Sequence, residues 1–408
     1  MIIEQQKSER LQPSSAAIVS PIDTSRLRTA RLAVATQRFE GWLFHPLVDF
    51  MCLSGGSLIA LVVLLFFVQS EAMGTGTGIV WLVVATVINY PHFAHSYQIF
   101  YSGFRGKAFG DTFDPELRRR YVFAGVIVPP LLAGFLAGSV LARDPHVLGY
   151  AGNAMLFLVG WHYAKQGYGM AMLDAVLKRR FFSAPEKKVL LANSYACWFL
   201  SWLLANNQVS ELNLWGLAYY AFEVPGWLLA AAITAAGAST IVFLGMLVRK
   251  GQAESWRLPW NGLLAYATTL YAWMVFAQLN PTYLLIVPAF HSLQYLVVVW
   301  RYQINRSRAQ SGADVRPAGD RLAHLLPSIA NLRFILFLLL AVALGFLGFL
   351  GLPEWLGHTI NYDSEIFGPT LFYFCFWTFI NVHHYFLDNV MWRKENPETR
   401  RYLFGAKS

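Results

Sequence analysis

The chain has 408 residues, of which 56% are hydrophobic, 16% aromatic and only 13% charged. Soluble domains carry about 25% charged residues, so this composition excludes a soluble globular protein of the same length and points to one solvated by lipid. The formal charge of +9 would suit a nucleic-acid binder or basic loops beside membrane spans, and the positions of Lys and Arg separate the two.

Residues 1–43 form a polar, basic tail and are expected to hold no signal peptide. Within it Leu27, Ala30, Leu32 and Val34 alternate with Arg26, Arg28, Arg31 and Arg38. That pattern suits a helix lying on an anionic membrane surface and suits a disordered tail equally well. A span needs roughly 20 mainly apolar residues. Such runs fall at about 47–69, 77–102, 121–142, 149–177, 189–206, 225–248, 260–279, 282–303, 331–351 and 367–392. The expected fold is therefore all-α, a polytopic transmembrane helical bundle of about ten spans over residues 44–393, followed by a tail at 394–408.

His45 and Asp49 stand at the mouth of the first span, and Gly55-Gly56 within it reads as a site of close helix packing. The GTGTG run at 74–78 follows no strand and gives no dinucleotide motif. The second span carries Asn89, His92 and His95, the fourth His162, Lys165 and Gln166, the eighth His291 and Gln294, and the tenth His383, His384 and Asp388. Asn280-Pro281 between the seventh and eighth runs implies a tight helical hairpin, and 305–331 reads as a connector. His146, His324 and His358 fall in loops as ordinary surface residues. Cys52, Cys197 and Cys375 sit in separate apolar runs without CxxC or CxH spacing, which leaves no disulfide framework or cysteine zinc site.

Sorted by these spans, Lys and Arg concentrate in the tail and in alternate loops, at Arg105 to Arg120, Lys178 to Lys188, Arg249 to Arg257 and Arg301 to Arg333, whereas the opposite loops carry only Arg143. Cytoplasmic loops retain positive charge, so both termini are expected in the cytoplasm of a bacterial inner membrane protein. The same partition accounts for the basic charge without nucleic acid.

An ionisable residue at membrane depth costs roughly 2.5–3.5 kcal/mol on insertion scales and is a functional candidate by default. Counted from the inner ends of their spans, His92, His95, His162, His291, His383 and His384 all fall about 7 to 15 residues deep, at about 1.5 Å per residue. Histidines on four separated helices at one level predict a single cluster, with His45 able to complete it from above. Neutral imidazole suits iron, copper or zinc, and the oxygen ligands of a magnesium or calcium site are missing. Asn89, Gln166, Gln294 and Asp49 are candidates to orient the rings. His383 and His384 point about 100° apart, so both need not be ligands. Lys165 and Asp388 are the candidate catalytic groups, with Asp49, Asp174 and Asp388 as possible partners of Lys165. Trp161, Tyr163, Tyr168 and Tyr295 are placed to line a substrate tunnel.

The pair His92-x-x-His95 together with His383-His384 resembles the histidine-rich polytopic membrane iron enzymes, the desaturase, hydroxylase and alkane monooxygenase group. It departs from their one HxxxH and two HxxHH boxes, which counts against two irons. A fainter resemblance, carried by His45-x-x-x-Asp49 and His92-Phe93, is to bacterial membrane dioxygenases that cleave β-carotene. That likeness implies a mononuclear site at His45, His92, His291 and His384. The expectation is an enzyme: an iron-dependent membrane oxygenase or desaturase with one or two ions, acting on an apolar lipid or isoprenoid, with a soluble electron donor for hydroxylation or desaturation. The alternatives are a proton-coupled transporter and a haem-bearing membrane electron carrier.

Overall fold

The computed structural model describes residues 41–67, 83–208, 213–214, 216–279, 283–312 and 331–404. Within them lie ten long helices: α1 (Pro46–Leu65), α2 (Tyr90–Tyr101), α3 (Pro115–Leu141), α4 (Pro145–Leu177), α5 (Ala184–Asn207), α6 (Gly226–Ala253), α7 (Trp260–Leu279), α8 (Tyr283–Gln310), α9 (Leu332–Thr359) and α10 (Leu371–Met391). Each overlaps one of the apolar runs. The only strands among the described residues are the paired Asn213–Leu214 and Leu217–Ala218. The basic tail to residue 40, the GTGTG run, the Asn280-Pro281 turn, His324 and most of the 305–331 connector lie outside the described residues.

Local chemistry explains where the helices start. Asp-Pro opens both α3 and α4, with proline in the first turn, where its missing N–H is no loss. The Asp114 carboxylate accepts from the Glu116 and Leu117 amides, and that of Asp144 from His146 and Val147. Asn331 caps α9 in the same way. At α1 the exposed His45 ring caps the helix, its Nδ1 accepting from the Leu47 amide. The buried Asp49 carboxylate accepts from the amides of Leu43, Phe44 and His45.

Six of the ten helices, α1, α3, α5, α6, α7 and α9, are long and apolar enough to cross a membrane. They expose large apolar side chains such as Ile59, Leu131, Ile241 and Leu339, the surface expected of a protein with acyl chains as solvent. The other four, α2, α4, α8 and α10, are those that carry the six candidate histidines. They lie inside: α4 packs on α5, α7 and α10, and α2 packs on α9 and α10. Two glycines allow the closest approaches. A Cβ on Gly262 would stand 2.6 Å from the Met170 carbonyl of α4, and one on Gly345 would stand 2.8 Å from the Tyr90 backbone of α2.

Five π-helical turns interrupt this framework, at Met51–Gly55, Ala85–Asn89, Phe123–Ile127, Thr268–Ala272 and Leu347–Gly351. The first changes the meaning of Gly55-Gly56. The wide turn brings the Phe50 ring over Gly55 and the Met51 carbonyl over Gly56, so these glycines make room for their own helix rather than for a neighbour.

Candidate metal centre

Four histidines from the four inner helices converge: His92 of α2, His162 of α4, His291 of α8 and His384 of α10. All are buried, and one ring nitrogen from each lies within 4.8 Å of the others. The rings meet edge to face around a closed circuit, His92–His291 at 5.0 Å between centroids, His291–His162 at 4.9 Å, His162–His384 at 5.0 Å and His384–His92 at 4.5 Å. A metal–imidazole bond is about 2.0–2.1 Å, so two donors on opposite sides of an ion stand about 4.1 Å apart. The spread exceeds that by up to about 0.7 Å, so a few tenths of an ångström of inward movement by each ring would bring the group to bonding distance.

Hydrogen bonding gives a second test of fit. Nε2 of His92 and of His162 and both ring nitrogens of His291 and His384 are buried without a hydrogen-bond partner. A buried polar atom left unsatisfied costs about 1–3 kcal/mol. Six such nitrogens on four rings are expensive as packing, and an ion would satisfy one on each ring, four in all. The group could therefore hold a metal ion.

The tautomer of His92 follows from its neighbours. Ser292 Oγ lies 2.8 Å from the Asn89 amide oxygen, 2.8 Å from the Pro288 carbonyl and 3.1 Å from His92 Nδ1. Its single proton goes to one of the two oxygens, so towards His92 it offers a lone pair and accepts from Nδ1–H. Nε2 is then left unprotonated and faces the other three rings. Asn89 thus acts on His92 through Ser292, a residue that no spacing or motif singles out.

Asp388 lies against two of the four rings. Its Oδ1 accepts from Ser96 Oγ and Tyr295 OH, both at 3.0 Å, while Oδ2 is 3.4 Å from His384 Nε2 and 3.8 Å from His162 Nε2. The carboxylate therefore sits beside the converging nitrogens and not behind the rings. The Ser96 and Tyr295 hydroxyls that hold it are themselves 2.5 Å apart, so Tyr295 serves the carboxylate.

The remaining candidates are not brought into the group. His95 is buried one turn from His92, but its Nδ1 donates to Gln98 Oε1 at 2.8 Å and its ring stacks on Phe337 of α9. His383 donates from Nε2 to the Ala124 carbonyl and accepts at Nδ1 from Tyr97 OH, both at 2.9 Å. His45 and Asp49 are occupied at the start of α1, as described. Gln166 Nε2 donates to the His291 carbonyl and to Gln294 Oε1, and Gln294 Nε2 donates to the Leu53 carbonyl. These two amides tie α4 to α8 and α8 to the π turn of α1, and touch no imidazole.

Lys165 is half-buried and points towards α5, its Nζ 5.9 Å from the Tyr195 ring centroid. Among the described residues no carboxylate lies within ion-pair distance of it. Of its expected partners, Asp174 pairs with Lys178 at 3.0 Å and accepts from the Gly262 amide, and Asp49 and Asp388 are held as above.

Aromatic side chains enclose the group. Tyr163 stacks on His291 at 4.2 Å, Tyr385 stacks on His162 at 4.6 Å, and Phe93 contacts both His92 and His384. Behind Tyr385 lies a cavity of about 260 Å³, lined by Phe157, Leu158 and Trp161 of α4, Trp198 of α5, and Tyr385, Phe386 and Asn389 of α10. Its walls are largely aromatic, and the Tyr385 ring stands between it and His162. Trp161 lines this cavity, whereas Tyr168 packs with the α5 and α7 side chains. No family model, no curated protein and no solved structure matches the chain.

Proposed function

We propose that the chain is a ten-span membrane enzyme that holds one iron ion in the His92, His162, His291 and His384 group and oxidises an apolar lipid or isoprenoid chain. The observation that carries this reading is the convergence of four buried imidazoles whose inward nitrogens have no protein partner. Four donors around one point favour one ion over two. Four imidazoles are also more protein ligands than a haem iron would take, which favours a bare ion over haem.

The six apolar helices become ten spans when the inner four are added. At about 1.5 Å per residue, the 33 residues of α4, 28 of α8 and 21 of α10 suffice to cross a bilayer, and the 12 of α2 with the 5 of the π turn Ala85–Asn89 before it reach the short end of the length a span needs. Their buried histidines follow from their facing one another. With ten spans, the Lys and Arg asymmetry puts both termini in the cytoplasm and the histidines in the inner half of the membrane. We assign the protein on this basis to a bacterial cytoplasmic membrane.

Bound iron would supply dioxygen activation, a role that neutral imidazole ligands suit. The chain's own residues do the rest. Ser292 fixes the His92 tautomer. Asp388 Oδ2, beside His162 and His384, is placed to hold a proton at the edge of the group. Phe93, Tyr163 and Tyr385 exclude water, and the cavity behind Tyr385 holds the substrate chain. Hydroxylation or desaturation needs electrons from a soluble donor at the cytoplasmic face, and cleavage by a dioxygenase does not.

Elemental analysis and an optical spectrum of the purified protein test the proposal together. One iron per chain without a Soret band is expected. A Soret band would replace the proposal with a haem electron carrier, and a metal-free, colourless protein would replace it with a histidine proton pathway of a transporter.

A further inference from the structure

The centre uses the face of α4 that carries His162, and Lys165 is left on another. Lys165 follows Trp161 by four residues, so the two share a stripe of α4. Tyr195 precedes Trp198 by three on α5, which packs along α4. Trp161 and Trp198 line the cavity, and Lys165 and Tyr195 continue the same seam by one turn. On the opposite wall Asn389, also a lining residue, is exposed. His162 and His384 are in ring contact and so mark one level. Lys165 lies three residues beyond that level and Asn389 five, about 4.5 and 7.5 Å at 1.5 Å per residue. The aromatic cavity therefore has its cation and its amide towards the same end, the end nearer the cytoplasm if the orientation proposed above holds.

A lysine at this depth is costly to keep without a counter-charge, and the described residues supply no carboxylate to it. Resting on the reading that a lipid chain occupies the cavity, we propose that Lys165 is the head-group site for a single-chain amphiphile with an anionic head, a carboxylate or a phosphate. The chain lies between Trp161, Trp198 and Phe386 and passes Tyr385, and Asn389 donates to the head from the other wall. The cavity, at about 260 Å³, falls just below the range of ligand pockets, which starts at about 300 Å³. It takes part of one chain and not a two-chain lipid. A hydrocarbon with no head group would leave Lys165 uncompensated.

The test is equilibrium binding of radiolabelled oleate, oleyl phosphate and oleyl alcohol to the full chain in a neutral detergent, with metal content measured on the same samples. The native protein should bind at least one of the two anions about tenfold more tightly than the alcohol, the size of a charge-assisted contact. Whichever anion is preferred identifies the head group. Lys165→Gln should abolish the preference, Lys165→Arg should keep it, and Trp161→Ala should weaken all three ligands alike. Equal binding of the alcohol and both anions by the native protein would overturn the proposal, as would a preference that survives Lys165→Gln. Because metal is measured in parallel, a lost preference with iron retained removes only the head-group site, whereas absence of iron removes the centre itself.

Discussion

Neighbouring residues His383 and His384 provide a paired experiment in which packing and metal binding predict opposite results. Both are buried in the last long helix. His383 makes two hydrogen bonds, with Tyr97 and Ala124, and His384 makes none. His383→Ala would leave the Tyr97 hydroxyl and the Ala124 carbonyl without partners, at about 1–3 kcal/mol each, and would open a cavity. A loss of about 2–5 kcal/mol is expected, with iron content unchanged. In metal-free protein His384→Ala should cost less than His383→Ala, because the packing it loses is offset by removal of two unpartnered buried nitrogens. With iron present the order reverses. An ion at a hundredfold excess over its Kd stabilises the folded state by about 2.7 kcal/mol, and His384→Ala forfeits that term. Melting curves in detergent, with and without added ferrous iron, should show an iron-dependent rise in Tm for the native protein and His383→Ala but not for His384→Ala. Iron retained by His384→Ala, or lost from His383→Ala, would refute the assignment of the four ligands.

Three further outcomes follow from the same geometry. Ser292→Ala frees the His92 ring to turn and to change tautomer, and should weaken iron binding by about 10–100-fold, the usual effect of losing a partner behind a metal-binding histidine, as read by competition with a chelator. Tyr385→Ala removes the ring between the cavity and His162, so a lipid-soluble chelator should strip iron faster from the variant while a water-soluble chelator shows no such gain. Lys107, in the short helix Phe104–Phe109 outside the spans, has its pKa lowered by burial, only partly opposed by Glu398 at 2.8 Å. Between that lowered value and the ordinary lysine value the unfolded chain binds more protons than the folded one, so this residue makes stability rise with pH in that alkaline window. The Tm of the native protein should rise relative to that of Lys107→Met as pH increases through it.

The positions of the ten helices were legible because apolar run length is a one-dimensional property, and the level of His92, His162, His291 and His384 was legible because rise per residue is constant. What a level does not give is azimuth. His95 shares depth and nearly shares a face with His92, yet the residual rotation between them is enough to turn its ring onto Phe337. His383 differs from His384 by a single residue and faces α3. Hydrogen bonds across helices were the other hidden quantity. Ser292 and Ser96 are short hydroxyls with no pattern around them, and their roles arise only once α2, α8 and α10 are adjacent. Gln166 and Gln294 looked like ring partners by spacing, but backbone carbonyls compete for the same amides, and the one at Leu53 becomes available through a π turn. Lys165 was recognised as anomalous from its depth alone, although none of the carboxylates named for it is its partner.

The interleaving of the two kinds of helix has a consequence for biogenesis. Each of the four polar inner helices comes directly after an apolar one in the chain, α2 after α1, α4 after α3, α8 after α7 and α10 after α9. Alone in a bilayer, α4 would present Lys165 and Asp174 to lipid. Delivered as a hairpin with α3, it shares the partitioning energy of a strongly apolar partner. On the ten-span reading proposed above, the chain can be threaded into the membrane as successive self-sufficient pairs, and the imidazoles need not meet until the last pair, carrying His384, has been made.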